Sequence, residues 1–263
     1  VAPSVMTEEI MRFYNIGAGD FAILTAYYSY AYVPMQICVG LLMDHYGPRR
    51  LLCLAIICCI IGCFILSSFG NLSLGKFSFF AIGFGSSFAF VGVLKLSVNW
   101  LPPNNLSFVS GITTALGLLG GVFAQRVLAG LAGVLDWREI WYYSGLVGFI
   151  ILVITFFSVY DHPKDKLPDV ENIPEPNWKS LFYDLIDMVK SYKFIINGLI
   201  GSVLYLPVSL FGGLWAVSFF HRGTGLPQLT AATLVTAVFI GMAIGGPIAS
   251  LLSEHVGRRK IFY

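Results

Sequence analysis

Seven apolar stretches of about twenty residues each dominate the chain, at roughly 20 to 43, 51 to 69, 75 to 98, 108 to 134, 140 to 160, 194 to 219 and 229 to 253. About 20 apolar residues in a helix cross the hydrocarbon core of a bilayer. In lipid the backbone must satisfy its own N–H and C=O groups, and for continuous apolar runs of this length the helix does so. The pattern predicts an all-α membrane protein. Composition agrees: 57% hydrophobic residues against 11% charged lies outside the usual mix of soluble domains.

Val1 to Met6 reads as the last turn of an earlier span, followed by a polar loop with Glu8, Glu9 and Arg12, so the chain is expected to be cut at its front, and likewise at its end. Turn signals separate the spans at Gly47-Pro48, Gly70-Asn71, Pro102 to Asn105, Asp136 to Arg138 and Gly223 to Pro227. One connection differs. Asp161 to Lys193 is polar, charged and rich in proline, and divides the chain into a bundle over 1–160, a linker over 161–193 and the start of a second bundle over 194–263. Within the linker, Leu181, Leu185 and Met188 at helical spacing predict a short surface helix.

Other function classes lack their residues. A net charge of +2 with no basic run among aromatics argues against nucleic acid. The five cysteines (Cys38, Cys53, Cys58, Cys59, Cys63) lie inside apolar segments without metal-type pairing and read as small packing residues. No nucleotide loop, metal set or nucleophile constellation calls for a cofactor or an enzyme.

Two charged knots interrupt the apolar pattern. Gly40-x-x-x-Asp44-x-x-Gly47-x-Arg49-Arg50 and Ser250-x-x-x-Glu254-x-x-Gly257-Arg258-Arg259 share a small residue, an acid four later, a glycine three after that and a basic pair. Six spans lie between them, and an even number of crossings returns the second knot to the face of the first, as in a parallel repeat. Positive charges place that face in the cytoplasm: Arg49, Arg50, Lys164, Lys166, Lys179, Lys190, Lys193 and Arg258 to Lys260 stand against Arg12, Lys76, Arg138 and Arg222 opposite.

These knots resemble the loop signature G-x-x-x-D-[RK]-x-G-[RK]-[RK] of the major facilitator superfamily, found between its second and third helices and echoed between the eighth and ninth. Asp136-Trp137-Arg138, Asn99-Trp100-Leu101-Pro102 and Phe211-Gly-Gly-Leu-Trp215 are also similar to bacterial members that import small organic solutes. The resemblance covers the whole chain and implies two pseudo-symmetric halves, the full spans being helices 2 to 8. It implies a conformational latch in which Asp44 meets helix 11 and Glu254 meets the start of helix 5, near Asn105 to Ser107. A glycine at 40 would let another helix approach, Gly47 would permit the turn, and Arg49 and Arg50 would hold Asp44 or lipid phosphates. The chain departs from the pattern at His45 and Pro48, at Ser250 and Glu254 in the second copy, and at Phe79, where many proton-coupled members carry an arginine in R-F-x-x-G-x-G.

Solute contacts are expected on polar helical stripes. Thr25, Tyr28, Tyr32, Gln36 and Gly40 share one face of the first full span, and Ser110, Thr114, Gly117, Gly121 and Gln125 share one of the fourth. The glycines, with Gly241 and Gly245, also fit close helix packing. Lys95 and Arg126 lie in or near the membrane with no acid inside a span to neutralise them, which favours an anionic group on the solute. Pro207 and Gly212-Gly213 can interrupt a helix near the midplane, making Tyr205 and Trp215 candidates. The sequence thus reads as an inner-membrane secondary or facilitative transporter of a small polar, anionic solute, with the bilayer and the solute as partners and protons as a coupling ion if the missing helices supply a titratable site. The alternative is a membrane receptor or structural subunit that keeps the architecture without transport.

Overall fold

The computed structural model describes residues 6–102, 106–131, 134–162, 183, 186–187, 190–206, 219–220, 223–225 and 228–256. Its helices are α1 (Thr7–Tyr14), α2 (Ala18–Tyr46), α3 (Pro48–Ser68), α4 (Leu72–Trp100), α5 (Leu106–Leu131), α6 (Trp137–Ser158), α7 (Tyr192–Leu206) and α8 (Gln228–Val256), and no strand occurs among the described residues. The polar loop expected at Glu8, Glu9 and Arg12 is instead α1, an amphipathic helix with Ile10 fully buried. It ends at Asn15 in the left-handed conformation, which asparagine tolerates as a helix stop.

Among the described residues α3, α4 and α6 are long and apolar enough to cross a membrane, and shorter apolar helices run over Phe108–Ala124 and Thr233–Gly246. At 29 residues α2 is long enough, but its tyrosines, Gln36 and the internal Pro34 keep it out of that apolar set. The stretch expected as a seventh-helix span is described only as the 15-residue α7. Residues 207–218, with the expected break at Pro207 and Gly212-Gly213, lie outside the described residues, as does most of the predicted linker helix.

Local chemistry sets the helix starts. Asn71 Oδ1 accepts from Ser73 N at 2.8 Å to begin α4. Asp136 caps α6 in a capping box with Glu139, whose Oε2 accepts from Asp136 N at 3.0 Å. The Asp-Trp-Arg motif is therefore, in part, a helix-start signal.

The chain divides into two compact units, one of residues 1–113 and 123–168, the other of residues 114–122 and 169–263. In the first, α4 packs between α2 and α3, and α6 packs on the outer side of α3. Tyr28 meets Gly83 and Asp44 meets Lys95, so α2 and α4 run parallel; Ala55 meets Gly85 and Gly62 meets Ser78, so α3 runs against them. The central contact depends on two missing side chains. A Cβ at Gly83 would stand 2.2 Å from the Tyr28 carbonyl oxygen, and one at Gly85 would stand 2.3 Å from that of Ala55. The backbone of α4 thus touches both neighbours, the close approach that replaces the hydrophobic effect as a packing device in lipid.

Two apolar clusters lie on either side of this contact. One gathers Met6, Ile10, Leu24, Phe79, Trp137 and Trp141 where α1 covers the helix ends. The other gathers Val39, Met43, Leu51, Ala55 and Phe88 toward the opposite end. The buried hydroxyls of Ser78, Ser87 and Ser97 each donate to a carbonyl of their own helix, so burial leaves them satisfied. The cysteines are free, Cys63 buried and the others half-buried.

At Gly40 no atom among the described residues lies within 4 Å of where its Cβ would stand, and the same holds for Gly117, Gly121, Gly241 and Gly245. Of the second unit, α7 and α8 are described, with Val235 and Ala243 of α8 buried.

Candidate functional site

Lys76 and Lys95 lie nineteen residues apart on α4, which is about 28 Å along a helix axis. This nearly equals the thickness of a hydrocarbon core, about 30 Å. Lysine side chains at the two edges keep their charges in the interface, so the pair brackets the membrane. Gly85 and Ser86 then mark the midplane.

At that level the polar groups of three helices converge. Tyr28 of α2 stacks on Tyr32, with ring centroids 5.5 Å apart and planes 15° from parallel. The Ser86 hydroxyl of α4 lies close to both the Tyr28 hydroxyl and the Cys59 thiol of α3. Gln36 Nε2 donates to the Ser87 carbonyl at 3.4 Å, and Cys59 Sγ donates to that of Ile82 at 3.7 Å. Tyr28 and Gln36 therefore link α2 to α4, while Tyr32 stacks on Tyr28. Thr25, at the start of the same stripe, bonds back to the Phe21 and Ala22 carbonyls and keeps to its own helix. Ser86 and Cys59 were not legible as part of this group, because small residues on apolar helices carry no distinguishing pattern.

The second constellation is at the end marked by Lys95. Two expectations are corrected there. Lys95 was expected to lack an acid; it forms an ion pair with Asp44 across the α2–α4 contact. Arg49 was expected to hold Asp44 or lipid phosphates; its backbone N–H donates to Asp161 Oδ1 at 2.7 Å, and its guanidinium donates to the Phe156 carbonyl at 2.7 Å and lies over the Phe156 and Tyr160 rings. Helical reach explains the exchange: Asp44 points along α2 toward α4, whereas Arg49, in the first turn of α3, faces α6. Arg50 is exposed.

Asp161, read from the sequence only as the first residue of the linker, is the hub of this end. Its carboxylate caps the N-terminus of α3, where orphan N–H groups and the helix dipole favour negative charge. Its carbonyl accepts from Asn99 Nδ2 at 2.9 Å, and the neighbouring Tyr160 carbonyl accepts from Trp100 Nε1 at 2.9 Å. Gly47 makes the space, since with φ +79° its missing Cβ would lie 2.8 Å from Asp161 Oδ2. Three helix ends are thereby joined to the residue from which the linker departs.

The family model of the Major Facilitator Superfamily matches residues 1–263. The chain belongs to the Major Facilitator Superfamily. Among curated members of the superfamily it is 21% identical over 255 residues to the hexuronate transporter of Bacillus subtilis, covering 95% of this chain and 60% of that protein. It is 24% identical over 160 residues to the probable sulfoacetate transporter SauU of Cupriavidus necator, covering 60% of this chain and 36% of that one. It is 27% identical over 165 residues to the nitrate/nitrite transporter NrtP of Picosynechococcus sp., covering 51% and 30%. The chain thus spans less than two thirds of the length of these superfamily relatives. Together with its apolar helices, membership makes it a multi-pass membrane protein, and its relatives are transporters, not enzymes.

The first copy of the superfamily loop, Gly40 to Arg50, is thus seen in place, with Asp44 on Lys95 and Arg49 on Asp161. In the second copy Ser250 and Glu254 lie on α8 with side chains outside the described residues, and Gly257, Arg258 and Arg259 lie beyond them, so the expected contact of Glu254 is not described. Gln125 and Arg126 lie on α5 and Tyr205 on α7, again without described side chains, and Trp215 is outside the described residues.

The Lys95–Asp44 pair is half-exposed, with side chains 30% and 58% accessible. Such pairs contribute about 0–1 kcal/mol. Asp44→Lys, which sets two cations side by side, is expected to lower the melting temperature, and adding Lys95→Asp is expected to restore most of the loss; thermal melts of the four proteins of this cycle check it.

Proposed function

We propose that this chain is the larger part of a secondary transporter that carries a small polar anion across the inner membrane by alternating access. Membership of the Major Facilitator Superfamily over residues 1–263 carries the reading. The relatives' names support the charge of the solute: hexuronate, sulfoacetate and nitrate are all anions. Three features of the molecule fit the role. The polar cluster of Tyr28, Tyr32, Gln36 and Ser86 lies at the level where such transporters bind solute. Lys95 is held by Asp44, and Arg126 is the candidate cation for the anion, with Gln125 beside it in sequence on α5 and Tyr205 and Trp215 as candidates from the second bundle. The repeated loop supplies a latch on one face, assigned to the cytoplasm by its basic residues, as is the linker. The bundles over 1–160 and 194–263 would rock about the site. Proton coupling would require a titratable group outside the spans of this chain.

The test is uptake by proteoliposomes of the full-length protein, with hexuronate, glucarate, sulfoacetate and nitrate set against neutral sugars of matching size, with and without a proton gradient. Uptake of one or more anions with neutral sugars excluded is the expected result. Accumulation only with the gradient would make the protein a symporter, equilibration without it a facilitator. Flux of no solute would overturn the proposal and favour the receptor.

A further inference from the structure

At the end of the first unit opposite Asp161, three buried polar atoms have no hydrogen-bond partner among the described residues: Tyr14 Oη, Arg138 Nε and Trp141 Nε1. Orphans of this kind are rare in folded proteins, and each asks for an occupant. These three belong to one layer. Tyr14 and Trp141 share the cluster beneath α1, with the Tyr14 ring 6.3 Å from that of Trp137 and the Trp141 ring 6.3 Å from that of Phe79. The Tyr14 hydroxyl faces Gly75, one turn before Phe79 on α4. The Arg138 guanidinium lies 3.9 Å from the centroid of Phe13, next to Tyr14, and three residues before Trp141 on α6.

All three groups donate. Guanidinium and indole have no acceptor, and a phenol that stays protonated offers its proton. Burial raises the pKa of Tyr14 against the opposing pull of Arg138, so the hydroxyl remains neutral and a donor at physiological pH. The acids nearest in sequence cap the helix start: Asp136 Oδ1 accepts from Arg138 N at 3.4 Å and Glu139 Oε2 accepts from Asp136 N. Trp141, 8% exposed, buries its N–H in the same layer. A donor-only set that includes a guanidinium is chemistry for an anion, which can accept from all of its members.

We propose that Tyr14, Arg138 and Trp141 form an occluded site for one small inorganic anion such as chloride, separate from the midplane cluster, which fastens α1 over the ends of α4 and α6. The proposal does not depend on transport, and its test is read without it. The full-length protein in detergent is melted at constant ionic strength while glutamate, too bulky for an occluded site, is replaced by chloride. A saturable rise in midpoint of about 5 °C is expected at roughly a hundredfold excess of chloride over its dissociation constant. Trp141→Phe, which keeps the packing and removes the N–H, is expected to weaken the chloride response, and Arg138→Gln to abolish it. Identical melting in both anions would overturn the site, as would a chloride response that persists unchanged in both variants. If Arg138→Gln does not fold, the Trp141→Phe titration decides alone.

Discussion

Gly83→Val is expected to leave little folded protein in the membrane, and Gly83→Ala to fold with markedly lower thermal stability. The reason is geometric. The new Cβ would lie 2.2 Å from the Tyr28 carbonyl oxygen, a backbone atom that cannot rotate away. To reach ordinary contact, α2 and α4 must separate by about an ångström, which breaks the dense packing on both sides of the contact. Overpacked cores lose about 1–3 kcal/mol when side chains can yield, and more when they cannot. Gly75→Ala provides the contrast: its Cβ would meet the Tyr14 hydroxyl at 3.0 Å, the tip of a side chain that can shift. Melting temperatures of the detergent-purified variants check the order, Gly83→Ala falling well below Gly75→Ala. Separation of α2 from α4 would also part Tyr28 from Ser86 and Gln36 from Ser87, so any Gly83→Ala protein that survives is expected to bind solute poorly.

The second large effect is expected at Gly47. Its φ of +79° with ψ of 144° is a conformation that residues with a side chain rarely hold, with a cost of about 1–3 kcal/mol. Gly47→Ala adds a collision with Asp161 Oδ2 at 2.8 Å. Asp161→Ala removes the collision but also the cap on Arg49 N, a loss of about 1 kcal/mol. The two substitutions share a partner, so their costs should not add. Gly47→Ala with Asp161→Ala is expected to be less destabilised than the sum of the singles, while Asp161→Asn, which keeps an acceptor, is expected to lie close to the parent. A double-mutant cycle read by thermal melting gives the coupling directly, and full additivity would contradict the contact.

What the sequence could reveal follows from which forces are local. The apolar runs of α3, α4 and α6 were legible because length and hydropathy belong to the segment itself. The loop motif was legible as a motif, since its residues are close in sequence, but its partners were not. Asp161 lies 112 residues from Arg49, and nothing near it distinguishes a capping carboxylate from an ordinary linker acid. The same holds for Lys95: its ion pair exists because α2 and α4 run in parallel contact, which no local pattern reports. At α1 a run with three charges concealed one apolar face, and Ile10 buried that face against the bundle. Tyr28 and Gln36 were read from the sequence as solute contacts; the contacts they make among the described residues are with α4.

The proposal of alternating access at the midplane is tested most directly at Tyr32. A cysteine placed there, in a protein whose native cysteines are replaced by serine or alanine, is treated with a membrane-impermeant maleimide from one side of the bilayer or the other, in the presence and absence of a transported anion. The account predicts labelling from both sides, with the anion raising reactivity from one and lowering it from the other. Labelling confined to one side whatever solute is present would contradict it.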